Sequence, residues 1–191
     1  DVGISFDTDD YRYQSANLVL VREFDLNTPS VLENTYTLNS SESFYSQVSD
    51  ETDLTKYYGT IYEDGLIFYL NSETGKGKIA LNPNSSEVFQ KPMNTATYPY
   101  PYSYPEIETG SDDGMQNTIN IASSCPNGIT GSSYALNYIS EGGHGEWYIP
   151  TKNESEFIYQ NLTLNYKIVG WPSIIMTSEE TGVASFWRAN I

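Results

Sequence analysis

The sequence contains very little cysteine, histidine or positive charge, and each shortage excludes a class of proteins. The single cysteine, Cys125, allows no intrachain disulfide, so the chain is not one of the small secreted folds that disulfides hold together. The single histidine, His144, excludes metal sites and catalytic dyads that need two histidines. No run approaches the ~18 to 20 apolar residues of a membrane helix, so the sequence predicts no insertion into a membrane.

The shortage of positive charge restricts the partners of the chain. Only 9 Lys and Arg residues stand against 25 Asp and Glu residues, and the formal net charge is −16 at pH 7. Such a charge repels phosphate backbones, so nucleic acid is not an expected partner. Basic partners, cations and neutral sugars stay open. Tyrosine, by contrast, is abundant, with 17 residues among many Asn, Ser and Thr residues, a composition typical of phage structural proteins and bacterial surface proteins.

The N-terminal part of the chain, residues 1–58, is predicted to consist of short strands and turns. Residues 17–24 form an apolar, β-branched run typical of a strand. Two weaker alternating runs follow at residues 35–38 and 43–48. Because so few strands are not stable by themselves, this segment is predicted to dock the remaining domain, residues 59–191, onto a larger assembly.

Two pairs of strands are predicted in that remaining domain. The apolar runs at 65–70 and 78–81 are joined by a polar loop with two glycines, the pattern of a hairpin. Near the end of the chain, residues 174–177 and 184–187 predict two further strands around a polar turn.

Two helices are predicted between these strand pairs. The first covers residues 132–140 and ends at the glycines 142–143. The second covers residues 152–162, with Thr151 as its N-cap and Glu154 completing a capping box. The predicted buried face of this second helix carries Phe157, Ile158 and Leu162.

Residues 96–105 alternate tyrosine with proline and are predicted to form a long extended loop. Each proline removes a hydrogen-bond donor and forces the residue before it into an extended conformation. Such a loop presents rigid aromatic rings that lose little entropy on binding. The predicted ligand-binding residues are therefore Tyr98, Tyr100, Tyr102 and Tyr104. The alternative is a strap that packs these tyrosines onto its own domain or a neighbouring subunit.

Four sequence blocks follow one another over residues 62–191. They are 65–69 (Gly-Leu-Ile-Phe-Tyr) with 75–80 (Gly-Lys-Gly-Lys-Ile-Ala), 114–118 (Gly-Met-Gln-Asn-Thr) followed by Ile121, 142–154 (beginning Gly-Gly-His-Gly-Glu-Trp-Tyr-Ile-Pro-Thr), and 177–179 (Thr-Ser-Glu). In this order and spacing they resemble the Lcl-type C-type-lectin-like domain of bacterial surface proteins and phage tail or adhesion proteins.

The resemblance implies an α+β fold with a small twisted antiparallel sheet, two helices and long loops on one side, preceded by the β-rich N-terminal segment. It implies recognition rather than chemistry. It also implies a structural framework consisting of Gly65, Phe68, Asn117, Trp147, Pro150, Glu154 and Ser178. The chain departs from the family at Ser155, where leucine is usual, and in the tyrosine–proline loop, which is an insertion.

Catalytic and metal sites are not predicted. His144 lies in a glycine-rich turn, where an exposed turn residue is expected rather than a general base. The formylglycine-generating oxidases share the lectin-like fold but need a cysteine pair, which this chain lacks. Acidic clusters at residues 7–10, 50–53 and 111–113 offer oxygen ligands for Ca²⁺, yet they match no defined calcium loop and are interpreted as solvated turns. No cofactor is predicted.

The sequence therefore predicts a non-catalytic module that binds a surface glycan or protein receptor. It is expected outside the cytoplasm, on a virion or a cell surface, as a homo-oligomer or as part of a larger assembly. The alternative is a purely structural subunit of a virion or an extracellular filament.

Overall fold

The computed structural model of the chain describes residues 5–9, 18–26, 53–81, 112–124, 131–164, 174–182 and 185–190. Antiparallel strands and α-helices both occur in these ranges, so the predicted α+β class is confirmed. The strands are β1 (Ser5–Asp9), β2 (Val21–Asp25), β3 (Ile61–Tyr62), β4 (Gly65–Asn71), β5 (Lys76–Leu81), β6 (Ile174–Gly182) and β7 (Ser185–Asn190). The helices are a 3₁₀ helix (Leu54–Tyr57), α1 (Gly114–Ser124), α2 (Gly131–Asn137) and α3 (Lys152–Ile158), which continues as a π-helical segment (Tyr159–Leu164).

The larger sheet has the strand order β2-β5-β4-β3, with all pairs antiparallel. Its centre is the predicted hairpin of β4 and β5, which the structure confirms. The side chain of Asn71 stabilises the connecting turn, because its Oδ1 accepts hydrogen bonds from the backbone N–H groups of Glu73 and Thr74 at 3.0 and 3.1 Å. Strand β3 contains only two residues and lies at one edge of this sheet.

The second sheet pairs the start of the chain with its end. Strand β7 lies between β1 and β6, and both pairs are antiparallel. The predicted C-terminal strands are therefore present. Strand β2 also comes from the N-terminal segment and is hydrogen-bonded to β5. Strands from both sides of residue 58 thus share the same two sheets.

The larger sheet is buried on both faces, because alternate residues of its strands point into two different clusters. The first cluster lies under α2 and contains Leu18, Leu20, Phe24, Ile67, Leu70, Ile79, Leu81, Ala135, Trp147 and Ile149. The second lies under α3 and contains Val19, Val21, Leu66, Phe68, Ala80, Tyr148, Ile158, Leu162 and Ile175. This arrangement explains why the β4 sequence is almost continuously apolar rather than alternating.

Helix α1 is missing from the sequence-based prediction, which gave two helices. Its N-terminus is capped by Asp113, whose Oδ1 accepts a hydrogen bond from the backbone N–H of Gln116 at 2.8 Å. Gly114 lies where a side chain would collide with the Tyr148 ring and the Glu154 carboxylate, at 2.7 and 2.8 Å from a Cβ atom. Glycine at this position therefore allows the helix to approach the core.

Helices α2 and α3 correspond to the two predicted helices, with corrected ends. Helix α2 ends at Asn137, three residues before the predicted end. The capping box of α3 is confirmed, because Thr151 Oγ1 accepts from the N–H of Glu154 at 3.1 Å and Glu154 Oε2 accepts from the N–H of Thr151 at 2.7 Å. The predicted burial of Phe157 is wrong: its side chain is 40% exposed and its ring contacts Tyr69 at 5.6 Å. The buried face of α3 is formed by Glu154, Ser155 and Ile158, and at helical spacing Phe157 lies beside this face rather than on it.

The predicted strands at 35–38 and 43–48, the loop at 96–105 and Cys125 lie outside the described residues. Within the described ranges, no helix has the length and apolarity needed to span a membrane.

Candidate functional site

Five half-buried tyrosines pack against the first core cluster, on the side of the sheet covered by α2. We call them the tyrosine face, and they are Tyr57, Tyr58, Tyr62, Tyr134 and Tyr138. Tyr57 and Tyr58 come from the 3₁₀ helix and the residue after it, Tyr62 from the edge strand β3, and Tyr134 and Tyr138 from α2 and its C-terminal end. Half-buried tyrosines combine a large apolar surface with a polar group that can reach solvent.

The rings of this face are held by aromatic contacts with the core. Tyr62 packs on Phe24 with a centroid distance of 4.7 Å, and Tyr138 contacts the edge of Trp147 at 6.2 Å. Tyr134 lies one helical turn before Tyr138, and their rings are 5.9 Å apart. Trp147 is fully buried, and its Nε1 donates a hydrogen bond to the carbonyl of His144 at 2.9 Å. Three of the five rings are therefore held by aromatic contacts within the fold.

Two exposed isoleucines adjoin the tyrosine face in sequence. Ile139 follows Tyr138 and is 61% exposed, the highest exposure among the large hydrophobic residues in the described ranges. Ile61 precedes Tyr62 in β3 and is 36% exposed, but it pairs with Leu66 of the second cluster and so points to the other side of the sheet from Tyr62. Exposed apolar residues beside half-buried tyrosines are typical of recognition surfaces.

The turn between β3 and β4 is strained, and its hydrogen bonds hold it to the loop after α2. Glu63 and Asp64 connect β3 to β4 with positive φ angles of 45° and 69°, which residues other than glycine rarely adopt. Asp64 Oδ2 accepts hydrogen bonds from Ser140 Oγ at 2.7 Å and from the backbone N–H of Gly142 at 2.8 Å. We call this set the Asp64 clamp. It links the chain segment that follows Tyr62 to the segment that follows Tyr138.

Glu63, the other residue of this turn, forms an ion pair with Arg22 of β2. Both side chains are mostly buried, with exposures of 15% for Arg22 and 12% for Glu63. Burial, assisted by the negative charge of Glu63, raises the pKa of Tyr62 to about 12. The phenol of Tyr62 is therefore neutral at all physiological pH values.

A second polar cluster lies within the fold, between the larger sheet and α3. Lys78 Nζ lies 2.6 Å from Glu154 Oε1 and 3.1 Å from Glu23 Oε1, and the hydroxyl of Tyr148 donates to Glu154 Oε1 at 2.8 Å. Burial would lower the pKa of Lys78, but the charges and hydrogen bonds of Glu154 and Glu23 together raise it. Burial, followed by the charge of Glu154, raises the pKa of Tyr148 as well. Each of these groups is engaged by another, as expected of a structural network.

The residues predicted as structural framework, Gly65, Phe68, Asn117, Trp147, Pro150, Glu154 and Ser178, are all buried. Ser178 connects two of them: its backbone N–H donates to the carbonyl of Pro150 at 2.8 Å, and its Oγ accepts from Asn117 Nδ2 at 3.4 Å. Thr177, Ser178 and Glu179 lie inside β6 rather than at a strand end, at an irregularity of its pairing with β7. Glu179 accepts from the N–H of Lys152 at the start of α3, at 2.7 Å.

The arrangement around His144 is that of a closed turn. The backbone N–H of His144 donates to Ser140 Oγ at 3.1 Å, and its carbonyl accepts from the N–H of Ser140 at 2.9 Å. The Ser140 hydroxyl lies 2.7 Å from Asp64 Oδ2 and 3.1 Å from the His144 carbonyl. A hydroxyl bonded in this way is part of the Asp64 clamp.

The first acidic cluster does not form the predicted turn where it is described, because Asp7 and Asp9 lie in β1. The described residues of the other two clusters take structural roles. Asp53 caps the 3₁₀ helix by accepting from the N–H of Thr55 at 3.0 Å, Asp113 caps α1, and Asp112 accepts from Asn153 Nδ2 at 3.1 Å. Among the described residues, no group of three or more His, Cys, Asp or Glu residues is arranged to hold a metal ion.

The predicted ligand-binding residues Tyr98, Tyr100, Tyr102 and Tyr104 lie outside the described ranges, and their role stays a prediction. Sequence reasoning missed the tyrosine face and the Asp64 clamp. The spacing of Tyr134 and Tyr138, one helical turn apart, was a usable signal for the face. The clamp joins residues 76 positions apart and left no local signal.

Comparison of the chain with protein-family models, with curated proteins and with solved structures finds no match. The resemblance to lectin-like domains therefore stays a prediction from the sequence blocks, and the function is argued from the geometry.

Proposed function

We propose that the chain is a non-catalytic recognition module that binds a glycan or protein receptor through the tyrosine face. The observation that carries this proposal is the packing of five half-buried tyrosines on one core cluster, with the exposed Ile139 directly after Tyr138. The module works outside the cytoplasm, on a virion or a cell surface.

The physical basis of the proposal is the preorganisation of this face. A ring that is already fixed loses little rotational freedom on binding, so more of its contact energy contributes to affinity. Tyrosine also offers both an apolar ring and a hydroxyl, which suits stacking on sugars and on peptide groups alike. The Asp64 clamp adds rigidity, since it links the two chain segments that contribute Tyr62 and Tyr138.

We further propose that the chain contains a C-type-lectin-like domain. In support, β1 and β7, the first and last strands of the described residues, pair with each other. The helices and the strands of the larger sheet lie between them in sequence. The buried positions of Trp147, Pro150 and Glu154, in the block that carries most of the resemblance, agree with a framework role.

The non-catalytic character of the proposal is supported by the state of the polar groups. The Lys78 ammonium is engaged by two carboxylates and lies 2.6 Å from the nearer one. The Tyr148 hydroxyl is occupied by Glu154, and Ser140 by the Asp64 clamp. Groups held in such pairs stabilise the fold, whereas a nucleophile or base needs access to a substrate.

The experiment is a glycan-array and whole-cell binding assay of the intact chain, with and without a calcium chelator. The diagnostic variant is Ile139→Ser, which makes the exposed apolar residue next to the face polar. Its matched control is Leu164→Ser, at a 52% exposed residue of the π-helical segment. We expect saturable binding that Ile139→Ser reduces and Leu164→Ser leaves unchanged, with similar unfolding midpoints for the two variants.

A third variant, Tyr100→Ala with Tyr102→Ala, tests whether the tyrosine–proline loop binds ligand independently. Loss of binding in this variant, with Ile139→Ser unaffected, would move the binding surface to the loop and contradict the proposed face. Absence of saturable binding to every glycan and cell type would contradict the recognition function itself and would favour a structural subunit.

A further inference from the structure

The rim of the tyrosine face carries an excess of negative charge. The segments that contribute the tyrosines or contact them carry the exposed carboxylates Asp53, Glu141 and Glu146. They also carry Glu63 and Asp64, which are already engaged by Arg22 and by Ser140 and Gly142. The cations among these segments and their partners are Lys56 and Arg22, and Arg22 is already paired with Glu63. Glu141 and Glu146 are exposed. A ligand on this face therefore meets carboxylates around aromatic rings.

One contact within the chain is an example of the group that such a surface attracts. The ammonium group of Lys56 lies over the ring of Tyr57, with Nζ at 5.1 Å from the ring centroid. This is a cation–π contact, in which the negative face of the ring attracts the cation. The other rings of the face are of the same type, and carboxylates lie nearby to complete the recognition of an ammonium or guanidinium group.

We infer that the ligand of the tyrosine face is a cationic polypeptide segment that presents lysine or arginine side chains to the rings. This inference rests on the proposed function and narrows it from any surface glycan or protein to one chemical class. Charge complementarity carries it, because both the rim and the whole chain, at −16, attract a basic partner and repel an acidic one. The rings make binding specific to this face, since long-range attraction alone would draw a basic peptide equally to any acidic surface of the chain.

The test is calorimetric titration of the intact chain with a short peptide of alternating lysine and glycine. A peptide of alternating glutamate and glycine and one of serine and glycine serve as charge controls. We expect saturable binding of the lysine peptide alone, weakening as salt is added. Equal affinity for the serine peptide, or no binding of the lysine peptide, would overturn the inference.

Two charge variants of equal net charge separate the rim from the general field of the protein. Glu141→Gln with Glu146→Gln removes two rim charges, whereas Glu73→Gln with Glu156→Gln removes two charges elsewhere, in the β4–β5 turn and on α3. We expect the rim variant to bind the lysine peptide about fivefold more weakly than the control variant. Equal weakening by both would show non-specific attraction and overturn the inference.

A variant of Lys56 is expected to strengthen the binding of the lysine peptide rather than weaken it. Lys56→Ser removes a positive charge that lies over the ring of Tyr57, so we expect tighter binding of the lysine peptide; weaker binding would count against the inference. If the lysine peptide fails while Ile139→Ser still reduces binding to a cell or glycan, the recognition function stands and only the cationic ligand is rejected. If both experiments fail, the tyrosine face is not a binding surface.

Discussion

At the scale of single residues, Lys78 and Glu154 show how the fold accommodates charge in its interior. The Glu154 side chain is 6% exposed and that of Lys78 21% exposed. Two charges removed from water to this degree are stable only if they pair well and their remaining hydrogen-bonding groups are satisfied. Tyr148, Thr151 and Glu23 provide those further contacts.

We predict that Lys78→Met lowers the free energy of unfolding by about 2 to 3 kcal/mol, because it leaves the Glu154 carboxylate buried without its cation. The partial exposure of Lys78 keeps this below the effect expected for a fully buried pair. Chemical denaturation measures it. The double variant Lys78→Met with Glu154→Met should lose less than the sum of the single losses, and additive losses would show that the two residues do not interact.

Tyr62 provides a prediction for alkaline pH. Its pKa is raised from 10.0 in the unfolded chain to about 12 in the fold, by burial and by Glu63. The fold therefore favours the neutral phenol, and this contribution is complete below pH 10 and is lost as the pH rises toward about 12. We expect the free energy of unfolding to fall over this window, and to fall less steeply in Tyr62→Phe when each protein is referred to its own stability at neutral pH. Identical slopes in the two proteins would contradict this assignment.

At the scale of elements, the turn between β3 and β4 has a strained backbone, and residues distant in sequence stabilise it. Positive φ angles at Glu63 and Asp64 cost of order 1 kcal/mol each. The ion pair of Glu63 with Arg22 and the clamp of Asp64 on Ser140 and Gly142 offset that cost. The turn thus holds the edge of the sheet to the loop after α2.

We predict that Asp64→Ala destabilises the fold by about 2 kcal/mol, since alanine keeps the strain and loses two hydrogen bonds to a carboxylate. Asp64→Asn should lose clearly less, because asparagine tolerates positive φ and its carbonyl oxygen still accepts from the same donors. Thermal or chemical unfolding measures both. Equal losses for the two variants would show that the negative charge, rather than the geometry of the clamp, stabilises the turn.

The elements that could be predicted from the sequence are those whose pattern lies within a few neighbouring residues. The β4–β5 hairpin and the capping box of α3 are encoded by residues next to each other, and both are present. Helix α1 was missed although Asp113 and Gln116 have capping-box spacing, because Asp113 was interpreted as part of a solvated acidic turn. Phe157 was misplaced because it lies beside the buried face that Glu154, Ser155 and Ile158 form, and its apolar character alone suggested burial.

At the scale of the whole molecule, the α+β class could be predicted, but the site could not. The tyrosine face draws its rings from three separate stretches of chain, and the sheet and α2 bring these together. Sequence reasoning found the tyrosines that stand close together, in the tyrosine–proline loop, since only those form a visible pattern. Contacts between distant residues, such as Asp64 with Ser140, follow from strand pairing and not from composition.

The most direct test of the central claim is chemical footprinting of tyrosines on the intact chain, free and bound to cells that it recognises. Nitration of each tyrosine is measured by mass spectrometry of the digested protein. The account predicts that binding protects Tyr134 and Tyr138, whereas Tyr69, which is half-buried on the opposite side of the sheet, reacts equally in both states. Unchanged reactivity of Tyr134 and Tyr138 on binding, with protection at other tyrosines, would contradict the claim that the tyrosine face is the recognition surface.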